Sequence, residues 1–106
     1  MKNIYTYGGF PAKRNLTVAD IIDNKGQRRM SMTDACTREQ AEICESVGID
    51  VLNIWDRDVM EVRAGAPNTF ISAGLSMSDY LTSDDILRAA VNVASAGADI
   101  VYTPRG

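Results

Sequence analysis

The 106-residue chain contains no histidine. That absence excludes a Ser-His-Asp triad, a Cys-His pair, a histidine-bearing zinc site and a histidine general base. A metal would have to be held by carboxylates, carbonyls and water, which favours magnesium or a similar hard ion. Cysteine is scarce as well. Cys36 and Cys44 are too few and too far apart for a CxxC redox or zinc signature, so two reduced thiols are expected. Basic excess is also missing: a net charge of -3 gives no electrostatic footprint for nucleic acid. No apolar run approaches the roughly 18 residues of a membrane span, and Met1-Lys2-Asn3-Ile4 lacks a signal-peptide pattern. A cytoplasmic protein without membrane contact is the expectation.

What the chain does hold is one phrase written twice, Ser46-Val47-Gly48-Ile49-Asp50-Val51-Leu52 and Ser95-Ala96-Gly97-Ala98-Asp99-Ile100-Val101. Each copy closes an amphipathic stretch with glycine and then opens a β-branched run. That pattern is a helix C-terminus, with glycine in the left-handed position, followed by a buried strand. Short apolar strands entered this way imply parallel strands covered by helices, an α/β fold with its chemistry at the strand carboxyl ends. At 45% hydrophobic and 24% charged, the chain has material for one modest core.

Residues 1–15 show neither helical nor strand period and read as an irregular lead segment, docked by its aromatics. Thr17 caps a short helix through Asp20, with Ile21 and Ile22 inward and Lys25-Gly26 at its end. Met30 to Ala35 reads as the first strand. Thr37 with Gln40 is a capping box that opens a helix whose Ala41, Cys44 and Val47 share a face. Val51 to Trp55 is the second strand, followed by a short helix around 58–64 and a turn at Gly65-Ala66-Pro67-Asn68. Thr69 to Ala73 is the third strand. Thr82 with Asp85 opens a helix whose inward residues read as Ile86, Leu87, Ala90, Val91 and Ala94, and Ile100 to Thr103 is the fourth strand. Residues 16–106 thus read as about four βα units, either a complete small α/β domain or the first half of a (β/α)8 barrel, which takes about 250 residues when whole.

The strand carboxyl ends offer Asp34 and Cys36, then Asp56 and Asp58, then Gly74, Ser76 and Ser78, then Thr103 and Arg105. Asp56 ends an apolar strand, so its carboxylate emerges where a metal or substrate would sit, unless it simply caps the next turn. Asp34 is open to the same two readings. Cys36 reads as a packed, inert thiol, and Trp55 and Met77 as packing residues. Arg105 is the one strand-end cation and would suit a carboxylate-bearing substrate.

Val62-Arg63-Ala64-Gly65-Ala66-Pro67-Asn68-Thr69-Phe70-Ile71 resembles the segment before strand 3 of the ketopantoate hydroxymethyltransferase (3-methyl-2-oxobutanoate hydroxymethyltransferase) family, which shows a VxRGAPNxF run. Gly48-Ile49-Asp50-Val51-Leu52 leading to Asp56 is similar to that family's G-(V/I)-D-x-(I/L)-L-V-G-D-S, and places Asp56 on its metal-binding aspartate. Ser95 to Val101 and Leu16 to Asp20 resemble two further pieces, so the likeness spans residues 16–106. It implies the N-terminal half of a (β/α)8 barrel of the phosphoenolpyruvate mutase and isocitrate lyase superfamily. It further implies an enzyme of pantothenate biosynthesis that uses magnesium to enolise a 2-oxo acid and takes a one-carbon unit from methylenetetrahydrofolate, while the open edges of the first and fourth strands lead to the expectation of a homo-oligomer.

Within that resemblance Asp56 would be metal ligand or substrate anchor. Arg105 would clamp a carboxylate, and Tyr80, Ser76 and Asp34 would line the substrate; no catalytic base is assigned. The chain departs from the family at several of these points. The second metal aspartate falls on Gly74, the lysine and glutamate of K-L-E-G-G on Tyr102 and Pro104, and the serine after the first aspartate on Arg57. Alternatives are a C–C or P–C lyase of the same superfamily, or a catalytically silent half-barrel that buries its open edges by pairing. The 106 residues alone are expected to be inactive.

Overall fold

Thr37 shows how strongly local rules act on this chain. Its hydroxyl accepts from the Gln40 backbone N–H at 3.2 Å, and the Gln40 side chain accepts from the Cys36 N–H at 2.8 Å. Those bonds start helix α2 (Arg38–Ser46) by satisfying backbone donors that a first helical turn leaves without partners. The helix ends at Gly48, with φ +83, where the Gly48 N–H donates to Glu45 O and the Ile49 N–H to Cys44 O. Helix α4 (Ser83–Ala96) repeats the design. The Thr82 hydroxyl accepts from Asp85 N–H, and Gly97 at φ +119 closes the helix with Gly97 and Ala98 donating to Ala94 and Val93. Both are Schellman closures.

The computed structural model describes residues 1–23, 30–76 and 82–103. Around α2 and α4 run β1 (Lys2–Tyr5), β2 (Pro11–Arg14), α1 (Val18–Asp23), β3 (Met32–Thr33), β4 (Val51–Trp55), a 3-10 turn (Asp56–Asp58), α3 (Val59–Gly65), β5 (Phe70–Gly74) and β6 (Ile100–Tyr102). Strands β3 to β6 form one parallel sheet in chain order, each beside the next. Alternation along the strands divides the sheet's side chains between its two faces. Leu52, Ile54, Ile71, Ala73 and Leu75 pack with Ala41, Val59, Val62, Ala89 and Val93 from α2, α3 and α4. On the opposite face Val51 and Phe70 pack with Leu16, Ile21, Met30 and Ile100. Full burial of each large aliphatic or aromatic side chain stabilises by about 1.5–3 kcal/mol, so the helix-covered face carries most of the core.

Several expectations are corrected. Residues 1–15 are not irregular: β1 and β2 pair antiparallel, from Lys2 opposite Arg14 to Tyr5 opposite Pro11. This hairpin buries little apolar surface, which is why it leaves no hydrophobic period. The Lys2 ammonium bonds the Asp20 carboxylate, which it holds below the usual carboxylate range, and so ties the hairpin to α1. Ile22 and Val47 are exposed rather than inward. On α4 the buried residues are Ala89 and Val93, while Leu87 and Val91 are exposed. The β3 ladder covers Met32 and Thr33 alone, shorter than the strand expected from Met30 to Ala35. Cys36 and Trp55 are exposed, and both thiols are free, with Cys44 against the core. No helix among the described residues is long and apolar enough to cross a membrane.

The amino ends of the strands are locked by the aspartates of the repeated phrase. Asp50 accepts from the Ser31 N–H at 2.9 Å, and Asp99 accepts from the Ile71 N–H at 2.9 Å, so each latches the neighbouring earlier strand. Asp99 does more. Arg14 Nε donates to it at 2.9 Å and Arg63 Nη2 at 2.8 Å, with the carboxylate and both guanidinium side chains at most 14% exposed. Arg14 also donates to Pro67 O, and Arg63 to Ala66 O, Thr69 O and Gly97 O. Burial pulls the Arg63 pKa down to about 10, against the opposing pull of Asp99, so the guanidinium stays charged at neutral pH. Gly65 lets α3 lie against α2, since a Cβ there would stand 2.1 Å from Arg38 O.

Two predictions come from this frame. Alanine at Gly48 should destabilise by about 1 kcal/mol through the left-handed backbone alone. Alanine at Gly97 should cost more, because its Cβ would also stand 2.9 Å from Arg63 Cγ. Urea denaturation of both variants ranks them, and equal midpoints would contradict the contact. Asp99→Asn should destabilise by about 3–5 kcal/mol, since it removes the carboxylate to which two buried arginines are bonded. Asp50→Asn, at a half-buried site, should cost about 1 kcal/mol in the same measurement.

Candidate functional site

Asp56 leaves β4 at its carboxyl end and enters the 3-10 turn that leads to α3. Its Oδ1 accepts from the Arg57 N–H at 2.9 Å and from the Ser76 hydroxyl at 3.1 Å, and its Oδ2 from the Ser76 N–H at 3.4 Å. Ser76 stands beyond the end of the neighbouring β5, so the parallel register of β4 and β5 brings the two together. The Arg57 guanidinium reaches the same hydroxyl at 3.4 Å. Carboxylate, hydroxyl and guanidinium thus converge at two adjacent strand ends.

Asp56 and Arg57 open onto a groove of about 510 Å³ against α4, which contributes Asp85, Arg88 and Asn92. The groove sets two arginines, Arg57 and Arg88, against two aspartates, Asp56 and Asp85, and each guanidinium offers a carboxylate paired donors. Sequence reasoning singled out neither Arg57 nor Arg88 as a site residue. Arg57 was detectable as the neighbour of a strand-end aspartate; Arg88 has no local signal, because only the docking of α4 carries it to the groove.

The other candidates separate. Asp34 does not join Asp56 and Ser76; it lines a second cleft of about 420 Å³ with Thr33, Asn53, Trp55 and Tyr102. Gly74, where the resemblance places a metal aspartate, lies under the Tyr102 ring. A Cβ built there would stand 2.9 Å from the phenol Cζ and oxygen. The Tyr102 hydroxyl crosses β5 to donate to Asn53 Oδ1 at 2.9 Å. Arg105, Tyr80, Ser78, Met77 and Pro104 lie outside the described residues.

Magnesium demands a near-octahedral shell of oxygens, usually with one or two carboxylates and anionic substrate oxygens. Among the described residues no three acidic or cysteine side chains gather to hold a metal. At Asp56 a single carboxylate already accepts from Ser76, and a guanidinium stands beside that hydroxyl. These residues do not fit a resident magnesium ion.

The fold and site together define a parallel α/β unit with an anion-compatible constellation at the carboxyl ends of its strands. No family model matches the chain. It is similar to a 3-methyl-2-oxobutanoate hydroxymethyltransferase from Kosmotoga olearia, 30% identical over 113 aligned positions, with 86% of this chain and 42% of the relative covered. The chain therefore spans less than half the length of the curated relative it matches.

Asp56→Asn removes charge at a half-buried strand end that other contacts already hold. It should destabilise by no more than about 1 kcal/mol. Ser76→Ala should do the same, and the double variant should cost less than the sum of the two, because they share one hydrogen bond. Thermal melts of the three variants test the pairing, and strict additivity would contradict it.

Proposed function

We propose that this chain is the N-terminal half of a (β/α)8 barrel of the 3-methyl-2-oxobutanoate hydroxymethyltransferase kind, and that its Asp56 site binds a 2-oxo acid. The observation that carries the proposal is the convergence of Asp56, Ser76 and Arg57 where β4 and β5 end. In a parallel barrel, reacting groups come from those ends. Chain-order pairing of β3 to β6 and the likeness to the Kosmotoga olearia enzyme support the same reading.

In this reading Arg57, with Arg88 across the groove, takes the substrate carboxylate. Asp56 accepts the one Ser76 hydroxyl proton, which holds Ser76 beside Arg57 at the edge of the substrate and leaves the guanidinium as the donor to its oxygens. Methylenetetrahydrofolate would supply the one-carbon unit. The aspartate to which Asp56 corresponds is a metal ligand in the family, so transfer by this chain would require oxygens that the described site does not provide.

A second reading is favoured by Tyr102, whose ring covers Gly74 where the resemblance places a ligand. It is a catalytically silent half-barrel whose β3 and β6 edges pair with another copy. Titration with 3-methyl-2-oxobutanoate followed by NMR separates the two. Saturable shifts at Arg57 and Ser76, lost in Arg57→Ala, support the substrate site. Unchanged spectra, with a dimer or larger species by light scattering, would leave the silent half-barrel. A methylenetetrahydrofolate-dependent transfer assay, with and without magnesium, then asks whether binding leads to chemistry.

A further inference from the structure

The sheet face opposite the helix-covered core carries a row of three registered positions at its carboxyl end: Trp55, Gly74 and Tyr102. The middle position has no side chain. Tyr102 leans across it and is pinned by the bond from its hydroxyl to Asn53. The 420 Å³ cleft beside this row is lined by both aromatic residues and by Met32, Thr33, Asp34 and Asn53. Trp55 is 45% exposed and Tyr102 38%, so neither side chain is consumed by the core. Among the described residues no lysine or arginine lines the cleft.

Two electron-rich rings and a carboxylate, with no competing cation, have a definite chemical preference. The face of an indole or phenol carries partial negative charge and attracts a positive group over it. An ammonium with alkyl substituents also gains apolar contact with Met32 and the rings. An anion would meet Asp34 and the ring faces unfavourably. We propose that this cleft is a binding site for an organic cation of the alkylammonium class, seated against Trp55 and Tyr102 with Asp34 as its counter-charge. The cleft shares no lining residue with the groove beside Asp56 and Arg57.

Trp55 is the single tryptophan of the chain, so its emission reports on this cleft directly. The test is a fluorescence titration at low ionic strength with choline and, separately, with its neutral carbon isostere 3,3-dimethylbutan-1-ol. Choline should give a saturable change, with half-saturation at least tenfold below that of the isostere. Asp34→Asn, at an exposed position, should raise the choline value at least fivefold. Tyr102→Leu should raise it similarly, whereas Tyr102→Phe, which keeps the ring, should stay within threefold of the parent. Circular dichroism confirms that each variant is folded, and if Tyr102→Leu is not, Asp34→Asn and the isostere still decide. An equal response to the two compounds would reassign the cleft to neutral apolar ligands and overturn the proposal. No response to choline, or an Asp34→Asn variant that binds it as well as the parent, would overturn it too.

Discussion

Asp99 sits where four pieces of the chain meet. Its carboxylate takes Arg14 from the hairpin, Arg63 from α3 and the Ile71 N–H from β5, while its own N–H enters the sheet through Ile71 O. A buried carboxylate is costly unless nearly every lone pair is occupied, and here the partners come from distant parts of the sequence. The arginines are served equally well: Arg63 spends its remaining donors on the carbonyls of Ala66, Thr69 and Gly97. Those carbonyls lie in the turn before β5 and at the close of α4. One ionic cluster therefore sets where β5 and β6 begin, how α3 lies against the end of α4, and where the hairpin docks.

The position of that cluster separates two kinds of information in the sequence. Arg63 to Asn68 belongs to the run that most resembles the hydroxymethyltransferase family, and every bond described for it is at the amino ends of the strands. Gly65 admits the backbone of α2, Arg63 grips Asp99, and Asn68 donates its backbone N–H to Glu45 and its side-chain amide to Lys13 O. Nothing in that run reaches Asp56. Likeness there speaks to architecture, whereas at the opposite end of the sheet Gly74, Tyr102 and Arg57 depart from the pattern of that family. A well-locked amino end leaves the carboxyl-end side chains free to change with little consequence for the fold.

What could be read in advance follows the range of the forces involved. Capping at Thr37 and Thr82 and the closures at Gly48 and Gly97 depend on residues within a few positions, and the structure has all four. The bounds of β4 were legible because an apolar run is bracketed there by Asp50 and Asp56. The phase of α4 was not. Its alanines and valines offer two nearly equivalent stripes, and only packing against β6 and α3 selects Ala89 and Val93 over Leu87 and Val91. The hairpin escaped because backbone pairing, Lys2 and Arg14 hold it rather than an apolar stripe. At the candidate site Asp56 and Ser76 were each visible as strand-end residues. Their meeting required the register of β4 on β5, and the path of Tyr102 to Asn53 required the empty position at Gly74.

Coverage of the sheet adds the last constraint on where function can reside. Three helices close one face along its length, and among the described residues the other face has an apolar cluster only at its amino end, where Leu16, Ile21 and Met30 meet Val51, Phe70 and Ile100. Further along that second face the side chains change character, to Asn53 and Ser72, then Trp55 and Tyr102 at the rim. A sheet that becomes more polar and more open toward its carboxyl end cannot use that end to stabilise itself, since half-exposed rings and amides bury little area. The indole and the phenol there stay partly exposed, and the phenol is pinned by a hydrogen bond across an intervening strand. The same logic holds for Arg57, whose charge adds nothing to the core and stands beside a hydroxyl already bonded to Asp56.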